Sequence, residues 1–199
     1  MNLKHIFVAG LVAVAPAAAL AGPAINGAGA SFPAPIYQRW FQDYARTSGS
    51  RVNYQSVGSG AGVRQFIAGT VDFGASDEPI SAADTAKVKR GVVQIPMVGG
   101  TIAIAYNKPG CTLKLTQKQT VDVFAGRIKD WKALGCAAGP ITPVYRSDGS
   151  GTTYAFTNSL KAFGSWTAGA SKTVKWPTGV GSKGNEGVAG TIRNTPGSI

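Results

Sequence analysis

Three loops rich in glycine and hydroxyl side chains each precede a predicted helix. They are Ala30-Ser31-Phe32, Gly58-Ser59-Gly60 and Gly149-Ser150-Gly151-Thr152. The unpaired N–H groups and the dipole of a helix N-terminus favour an anion, and glycine lets the backbone approach it closely. Serine and threonine add hydroxyl donors. Because ordinary helix capping uses the same residue types, one such loop decides nothing, whereas three together indicate an anion site.

A charged pair stands beside the third loop. Arg146 ends a predicted strand, and Asp148 follows two residues later. A guanidinium can hold a tetrahedral oxyanion through two parallel hydrogen bonds, and Asp148 could fix its orientation. The alternative is a surface ion pair. The pair narrows the predicted ligand to a tetrahedral oxyanion.

Asp77 is unexpected in an anion site, because a carboxylate repels an anion. An ionised aspartate can only accept hydrogen bonds. Phosphate carries an O–H that it can donate, whereas sulfate at neutral pH has none. We therefore expect Asp77 to select phosphate by rejecting sulfate. The alternative is that Asp77 caps the following turn at Pro79.

Histidine is almost absent, which excludes several kinds of chemistry. The single histidine is His5, inside an N-terminal segment that we expect to be removed. The mature chain would then lack Ser-His-Asp and Cys-His catalysis and the commonest metal ligand. We expect a binding protein with no catalytic residue, no metal and no cofactor.

The formal net charge of +11 suits an anionic partner. The lysines and arginines are nevertheless scattered singly, without a basic helix or an aromatic RNA-binding motif. We therefore expect no nucleic-acid partner.

Residues 1–21 have the pattern of a secretory signal peptide. Lys4 and His5 form a basic start, residues 6–20 are apolar, and Ala19-Leu20-Ala21 fits a cleavage site. We expect cleavage after Ala21 and export; an uncleaved N-terminal anchor is the alternative. No other segment is long and apolar enough to span a bilayer, so the mature protein is not expected to be membrane-spanning.

Cys111 and Cys136 are the two cysteines of the chain. In an oxidising compartment an even pair favours a disulfide. A metal pair is disfavoured because two thiols make an incomplete zinc site. A free buried pair remains the other possibility.

Strand and helix patterns alternate along the chain, which predicts an α/β fold with parallel strands. We expect residues 26–32 to form a loop and Ser81 and Asn185 to cap helices. The predicted strands are 51–57, 71–75, 92–98, 101–106 and 141–145. The predicted helices cover 33–46, about 60–68, 82–89, 116–124, 130–134, 152–163 and 185–193. Open α/β sheets bind ligands at the carboxyl ends of their strands, where two of the loops lie.

Several segments, in order over residues 24–199, resemble the periplasmic phosphate-binding proteins (PstS family) of the bacterial Pst phosphate ABC transporter. The segments are Gly27-Ala-Gly-Ala-Ser-Phe-Pro-Ala-Pro35, Asn53-Tyr-Gln55, Asp72-Phe-Gly-Ala-Ser-Asp77, Arg146-Ser-Asp-Gly-Ser-Gly-Thr152, Thr173-Val-Lys-Trp-Pro177 and Gly184-Asn-Glu-Gly187. The resemblance depends on the whole series and not on one motif. Ser31 departs from the pattern, since the best-known members have threonine there.

The resemblance implies a periplasmic-binding-protein fold of type II, with a ligand cleft between two α/β lobes. Residues 22–98 would form the first lobe and 99–199 the second, with the connecting segment near 98–107. Family members continue further, so we expect a C-terminally truncated chain whose second lobe and return crossover are incomplete.

The resemblance also implies the ligand and its contacts. Inorganic phosphate would bind between the lobes of a periplasmic protein and pass to the membrane permease subunits of an ABC transporter. The implied phosphate-binding residues are Ala30, Ser31, Phe32, Ser59, Asp77, Arg146, Ser150, Gly151 and Thr152, with Asp148 in support. The alternatives are a secreted phosphate-handling enzyme or a scavenging module of related fold.

Overall fold

The computed structural model describes residues 24–199. The predicted signal peptide, residues 1–21, lies outside the described residues. The strands are β1 (Ile25–Gly29), β2 (Val52–Ser56), β3 (Phe73–Ala75), β4 (Val144–Arg146) and β5 (Val180–Ser182). The helices are α1 (Ala34–Ser48), α2 (Ser59–Ala68), α3 (Ala82–Thr85), α4 (Gln117–Phe124), α5 (Gly151–Phe163) and α6 (Gly184–Asn194), with a 3-10 helix at Trp131–Leu134.

Two parallel sheets form the centres of two α/β lobes. The first lobe has the strand order β2-β1-β3, and both pairings of β1 are parallel. The second lobe has β4 paired in parallel with β5. The predicted α/β class and the two-lobed fold are therefore confirmed. The predicted boundary at residues 98 and 99 stays a prediction; it falls in a segment without helix or strand, 91–107.

Strand β1 corrects the prediction that residues 26–32 form a loop. Its glycines suggested a loop because glycine is unfavourable in strands. A Cβ added at Gly27 would lie 2.1 Å from the ring of Phe73, so a side chain here would require that ring to move. The central strand is glycine-rich because neighbouring elements occupy the space beside it.

The strands predicted at 92–98 and 101–106 are absent from the structure. A strand requires a neighbouring backbone for its hydrogen bonds, and residues 92–106 pair with no other strand among the described residues. Several of their apolar side chains are exposed, with Val93 84% and Ile95 66% accessible, although Val98 and Ile104 pack against the cores. Apolar alternation alone was therefore insufficient to predict pairing.

Other predicted elements differ in their bounds. The helix predicted over 82–89 is only Ala82–Thr85, although Ser81 caps it through the N–H of Asp84 as expected. The strand predicted over 141–145 is Val144–Arg146. The N-cap of α6 is Lys183, so the prediction that Asn185 caps this helix is wrong.

The second lobe has the larger hydrophobic core. Trp131, Val123 and Leu160 are completely buried in it, and the indole N–H of Trp131 donates to the carbonyl of Gly197 at 3.0 Å. A disulfide joins Cys111 to Cys136, and both residues pack against this core. Among residues 24–199, no helix combines the length and apolar character needed to cross a bilayer.

Gly62 controls how closely α2 packs on the first sheet. A Cβ added there would lie 2.4 Å from the Cα of Gly29 and 2.6 Å from the carbonyl oxygen of Ala28. Gly62→Ala should therefore lower the free energy of unfolding by about 2 kcal/mol, because the helix must move away from β1.

Gly190, inside α6, is the matched control, because a Cβ there would meet nothing within 4 Å. Gly190→Ala should raise the free energy of unfolding by about 0.5–1 kcal/mol through helix propensity. Urea denaturation of both variants measures the two changes. A Gly62→Ala variant as stable as the Gly190→Ala variant would contradict this account of the packing.

Candidate anion-binding site

The predicted site residues lie at the carboxyl ends of parallel strands in both lobes. Ser31 follows β1, Ser59 begins α2 after β2, and Asp77 follows β3. In the second lobe Arg146 is the last residue of β4. Because parallel strands direct their carboxyl ends to one edge, both sheets bring these groups to a common cleft. The cleft has a volume of about 1300 Å³, and Phe32, Asp77, Arg146 and Thr152 are among its lining residues.

Arg146 is buried, with 7% of its surface exposed. Its Nε donates to Oδ1 of Asp148 at 2.6 Å, and one of its terminal nitrogens donates to Oδ2 of the same carboxylate. The other terminal nitrogen donates to Oγ of Ser31, in the first lobe, at 3.0 Å. The pair is therefore not a surface ion pair, and Asp148 orients the guanidinium as predicted.

Asp77 contacts the second lobe directly. Its Oδ2 accepts a hydrogen bond from the Thr152 hydroxyl at 2.9 Å. The following turn is bonded by Ser76 instead, whose Oγ donates to the carbonyl of Glu78 at 2.7 Å. Asp77 thus acts as a hydrogen-bond acceptor in the cleft. The alternative, that Asp77 caps the turn at Pro79, is wrong.

Three buried serine hydroxyls beside the cleft accept hydrogen bonds from N–H groups. Oγ of Ser31 accepts from Arg146 and from the N–H of Asn185, at 3.0 and 3.1 Å. Oγ of Ser59 accepts from the N–H of Gly151 at 3.1 Å and, at the longer distance of 3.5 Å, from that of Asp77. Oγ of Ser150 accepts from the N–H of Thr153 at 3.0 Å and caps α5. Because a hydroxyl has one proton and two lone pairs, these bonds leave each O–H able to donate to an anion.

Glycines allow the two lobes to approach each other at the cleft. A Cβ added at Gly151 would lie 2.7 Å from Cβ of Asp77 and 2.8 Å from Oγ of Ser59. Gly58 has a φ of +87°, and a Cβ there would lie 2.3 Å from the Asp148 carboxylate. The N–H of Gly60 also donates to the carbonyl of Gly149 at 2.9 Å. The backbones of the two lobes meet directly because no side chains separate them.

Two of the predicted site residues, Ala30 and Phe32, offer no free polar side-chain group to a ligand. The N–H of Ala30 donates to the carbonyl of Ala75, and its own carbonyl accepts from the hydroxyl of Tyr54 at 2.7 Å. The polar groups of Ala30 are thus engaged within the first lobe. Phe32 lines the cleft and lies against Gly100, where an added Cβ would be 2.7 Å from its ring. A ligand contact remains a prediction for these two residues, as it does for the other predicted site residues.

Asn185 and an ion pair between the lobes were not predicted as parts of the site. Asn185 is the second residue of α6, and its Oδ1 accepts from the guanidinium of Arg146 at 2.6 Å. Nζ of Lys172 lies 2.8 Å from Oε2 of Glu78 and joins the lobes beside Asp77. A stretch of glycine and polar residues, Ser182-Lys-Gly-Asn185, leads from β5 into the first turn of α6 and is similar in composition to the other three loops. That similarity could have identified Asn185, had β5 been predicted before it.

The two carboxylates of the site have opposite pKa shifts. Burial raises the pKa of the Asp77 carboxyl, although hydrogen bonds from Thr152 and the charge of Arg146 oppose the shift. Burial alone would also raise the pKa of Asp148, but hydrogen bonds from Arg146 and from the Gly184 N–H outweigh it, and that pKa is lowered. The folded state therefore stabilises the ionised form of Asp148. The ionised form of Asp77, in contrast, lowers the stability of the folded state.

Comparisons with known proteins agree with this architecture. The family model described as a PBP superfamily domain matches residues 14–199. The phosphate-binding protein PstS of Pasteurella multocida is 46% identical over 191 residues, which are 88% of this chain and 55% of that protein. The PstS of Haemophilus influenzae is 47% identical over 191 residues, or 88% of this chain and 56% of that protein. The chain thus spans about half the length of these curated relatives.

A solved structure gives the same picture of the fold. The crystal structure of a human phosphate-binding apolipoprotein superposes with a TM-score of 0.74 at 28% identity. The superposition covers 87% of this chain and 55% of the apolipoprotein chain.

Asp148→Asn and Asp77→Asn should change stability in opposite directions in phosphate-free buffer at pH 7. Asp148→Asn should lower the free energy of unfolding by about 3 kcal/mol, because it leaves the buried Arg146 without a counter-charge. Asp77→Asn should raise it, because the desolvated charge is removed while Oδ1 can still accept from Thr152.

Both differences should shrink on acidification. The contribution of Asp148 is present above the unfolded-state pKa, about 3.9, and is lost as the pH falls through its lower folded-state value. The penalty at Asp77 disappears as the pH falls through its raised folded-state pKa. Chemical denaturation of the three proteins between pH 3 and pH 8 measures these changes. A destabilised Asp77→Asn variant at pH 7 would contradict the assigned electrostatics.

Proposed function

Because this chain belongs to the PBP superfamily, we propose that it binds inorganic phosphate between its two lobes as the solute-binding component of an ABC transporter. The observation that carries this proposal is the position of Asp77 among donors. Arg146, the serine hydroxyls and the start of α5 provide positive charge and hydrogen-bond donors. Asp77 provides an anionic acceptor facing Thr152 from the other lobe.

This combination suits a tetrahedral oxyanion that carries a proton. The donors stabilise the unprotonated oxygens, and Asp77 accepts the hydrogen bond of the P–O–H group. Sulfate would place an unprotonated oxygen against the carboxylate, which is repulsive. The names of the relatives from Pasteurella multocida and Haemophilus influenzae, both phosphate-binding proteins, support the same ligand.

The transport role follows from the same relationship and from the two-lobed form. The loops meet across the cleft through hydrogen bonds that break when the lobes separate, so opening and closing can release and retain a ligand. We propose export to the periplasm after cleavage at Ala21 and delivery of phosphate to permease subunits. The protein then acts as a receptor and not as an enzyme.

Titration calorimetry of the purified mature protein at its full natural length tests the ligand. Phosphate should bind at least about a hundredfold more tightly than sulfate, because a buried acceptor rejects an analogue that lacks the O–H. Asp77→Asn should narrow this ratio by about tenfold or more, since a neutral amide repels sulfate less.

Asp43→Asn is the control for the loss of one carboxylate, because Asp43 is on the exposed surface of α1. It should leave both affinities unchanged. Wild-type protein that binds sulfate as tightly as phosphate would refute the proposed ligand. An unchanged ratio in Asp77→Asn would remove Asp77 from the selective role.

Ser150→Ala separates binding from catalysis. The substitution removes a hydroxyl donor and the N-cap of α5, so phosphate affinity should fall about tenfold and the free energy of unfolding by about 1 kcal/mol. Neither the wild type nor the variant should hydrolyse a chromogenic phosphate ester. Calorimetry and a continuous absorbance assay provide the two readouts.

Thr116→Ala is matched to this variant, because Thr116 caps α4 through the N–H of Gln119 at 3.2 Å, outside the predicted site residues. Thr116→Ala should lower the free energy of unfolding by a similar amount to Ser150→Ala, without changing the affinity for phosphate. Ester turnover that disappears in Ser150→Ala would support a phosphate-handling enzyme instead.

A further inference from the structure

Asn185 contacts three of the predicted ligand residues. Its side-chain Oδ1 accepts from Arg146 at 2.6 Å, and its Nδ2 lies 3.4 Å from Oγ1 of Thr152, to which it donates. Its backbone N–H donates to Oγ of Ser31 at 3.1 Å. Arg146 and Thr152 belong to the same lobe as Asn185, whereas Ser31 belongs to the other. One residue at the start of α6 therefore joins groups from both sides of the cleft.

The hydrogen bonds of Arg146 show what the Asn185 side chain does. A guanidinium has five N–H donors in a fixed plane. Asp148 accepts from Nε and from one terminal nitrogen, while Asn185 and Ser31 accept from the other terminal nitrogen. If an oxyanion replaces Ser31 as acceptor, one N–H remains on each terminal nitrogen. Two donors on the two terminal nitrogens can bind two oxygens of one tetrahedral oxyanion.

The backbone N–H of Asn185 acts on Ser31 in a complementary way. Oγ of Ser31 accepts from the N–H of Asn185 as well as from Arg146. When an anion takes over the Arg146 N–H, the bond from Asn185 remains and still occupies one lone pair of Oγ. The start of α6 thereby holds the Ser31 hydroxyl as an acceptor from Asn185 and leaves its proton free to be donated, as an anion site requires.

We propose that Asn185 is a positioning residue for the anion, which holds the Arg146 guanidinium in its bidentate orientation and directs the Ser31 hydroxyl toward the ligand. The inference rests on the proposed phosphate-binding function and adds a residue to it. Asn185 makes no side-chain cap on its own helix, since the N-cap position is Lys183. Within the described residues, its side-chain bonds all go to Arg146 and Thr152.

Phosphate titration calorimetry of the mature protein at its full natural length tests the inference. Asn185→Ala should weaken phosphate binding about tenfold, because the guanidinium loses one of the acceptors that orient it. Asn185→Ser should weaken it equally, since the shorter side chain keeps a polar first-turn residue but cannot span the same distance. It also provides a folded variant if Asn185→Ala proves unstable.

Asn194→Ala is the matched control, because Asn194 is an exposed residue at the other end of α6. It should bind phosphate as the wild type does. A wild-type affinity in both Asn185 variants would overturn the inference.

A double-mutant cycle distinguishes positioning from a general structural effect. Lysine cannot reproduce the planar fork of arginine, so the contribution of Asn185 should largely disappear in an Arg146→Lys background. In that background we expect Asn185→Ala to weaken phosphate binding by less than about twofold, compared with about tenfold in the wild-type background. Equal costs in the two backgrounds would show that Asn185 acts independently of Arg146 and would overturn the inference. Wild-type protein that fails to bind phosphate would instead refute the proposed function, whatever the variants do.

Discussion

The buried ion pair between Arg146 and Asp148 is the interaction on which the organisation of the cleft depends. A guanidinium out of water is costly unless its charge and its N–H groups are matched. Strand β4 delivers Arg146 to the cleft, and Asp148 receives a further hydrogen bond from the N–H of Gly184. Gly58 leaves room for the carboxylate, because any Cβ there would overlap it. Elements of both lobes are therefore shaped around one pair of charges.

The same cleft contains several hydrogen-bond donors and one carboxylate, Asp77, whose charge is disfavoured by burial. The donors are backbone N–H groups, hydroxyls and a guanidinium, which keep their protonation state around neutral pH. Asp77 is different because its burial raises its pKa, so its charge is less favourable in the folded protein than in water. An anion that brings its own proton relieves this conflict, and this is the physical reason for the proposed preference for phosphate.

Much of the site could be predicted from the sequence, but part of the fold could not. The convergence of Ser59, Asp77 and Arg146 was predictable, because parallel strands place their carboxyl ends at one edge. Strand β1 was not, because glycine usually disfavours strands; its glycines are explained by the Phe73 ring beside Gly27 and the Ala75 backbone beside Gly29. The role of Asn185 was missed because β5 has only three residues, too few for a periodic pattern. The prediction of strands within residues 92–106 was wrong, because a strand needs a neighbouring strand to pair with and the local sequence does not specify one.

The contact between Ser31 and Asn185 spans 154 positions of the chain. It cannot form until the ribosome has added residue 185, and it closes a loop that costs considerable entropy before any contact compensates for it. Contacts of this separation slow folding. The binding site is therefore assembled late, and slow assembly suits a polypeptide that, if it is exported as proposed, must remain unfolded until it has crossed a membrane. An anion that binds only the folded form would shift the folding equilibrium toward that form.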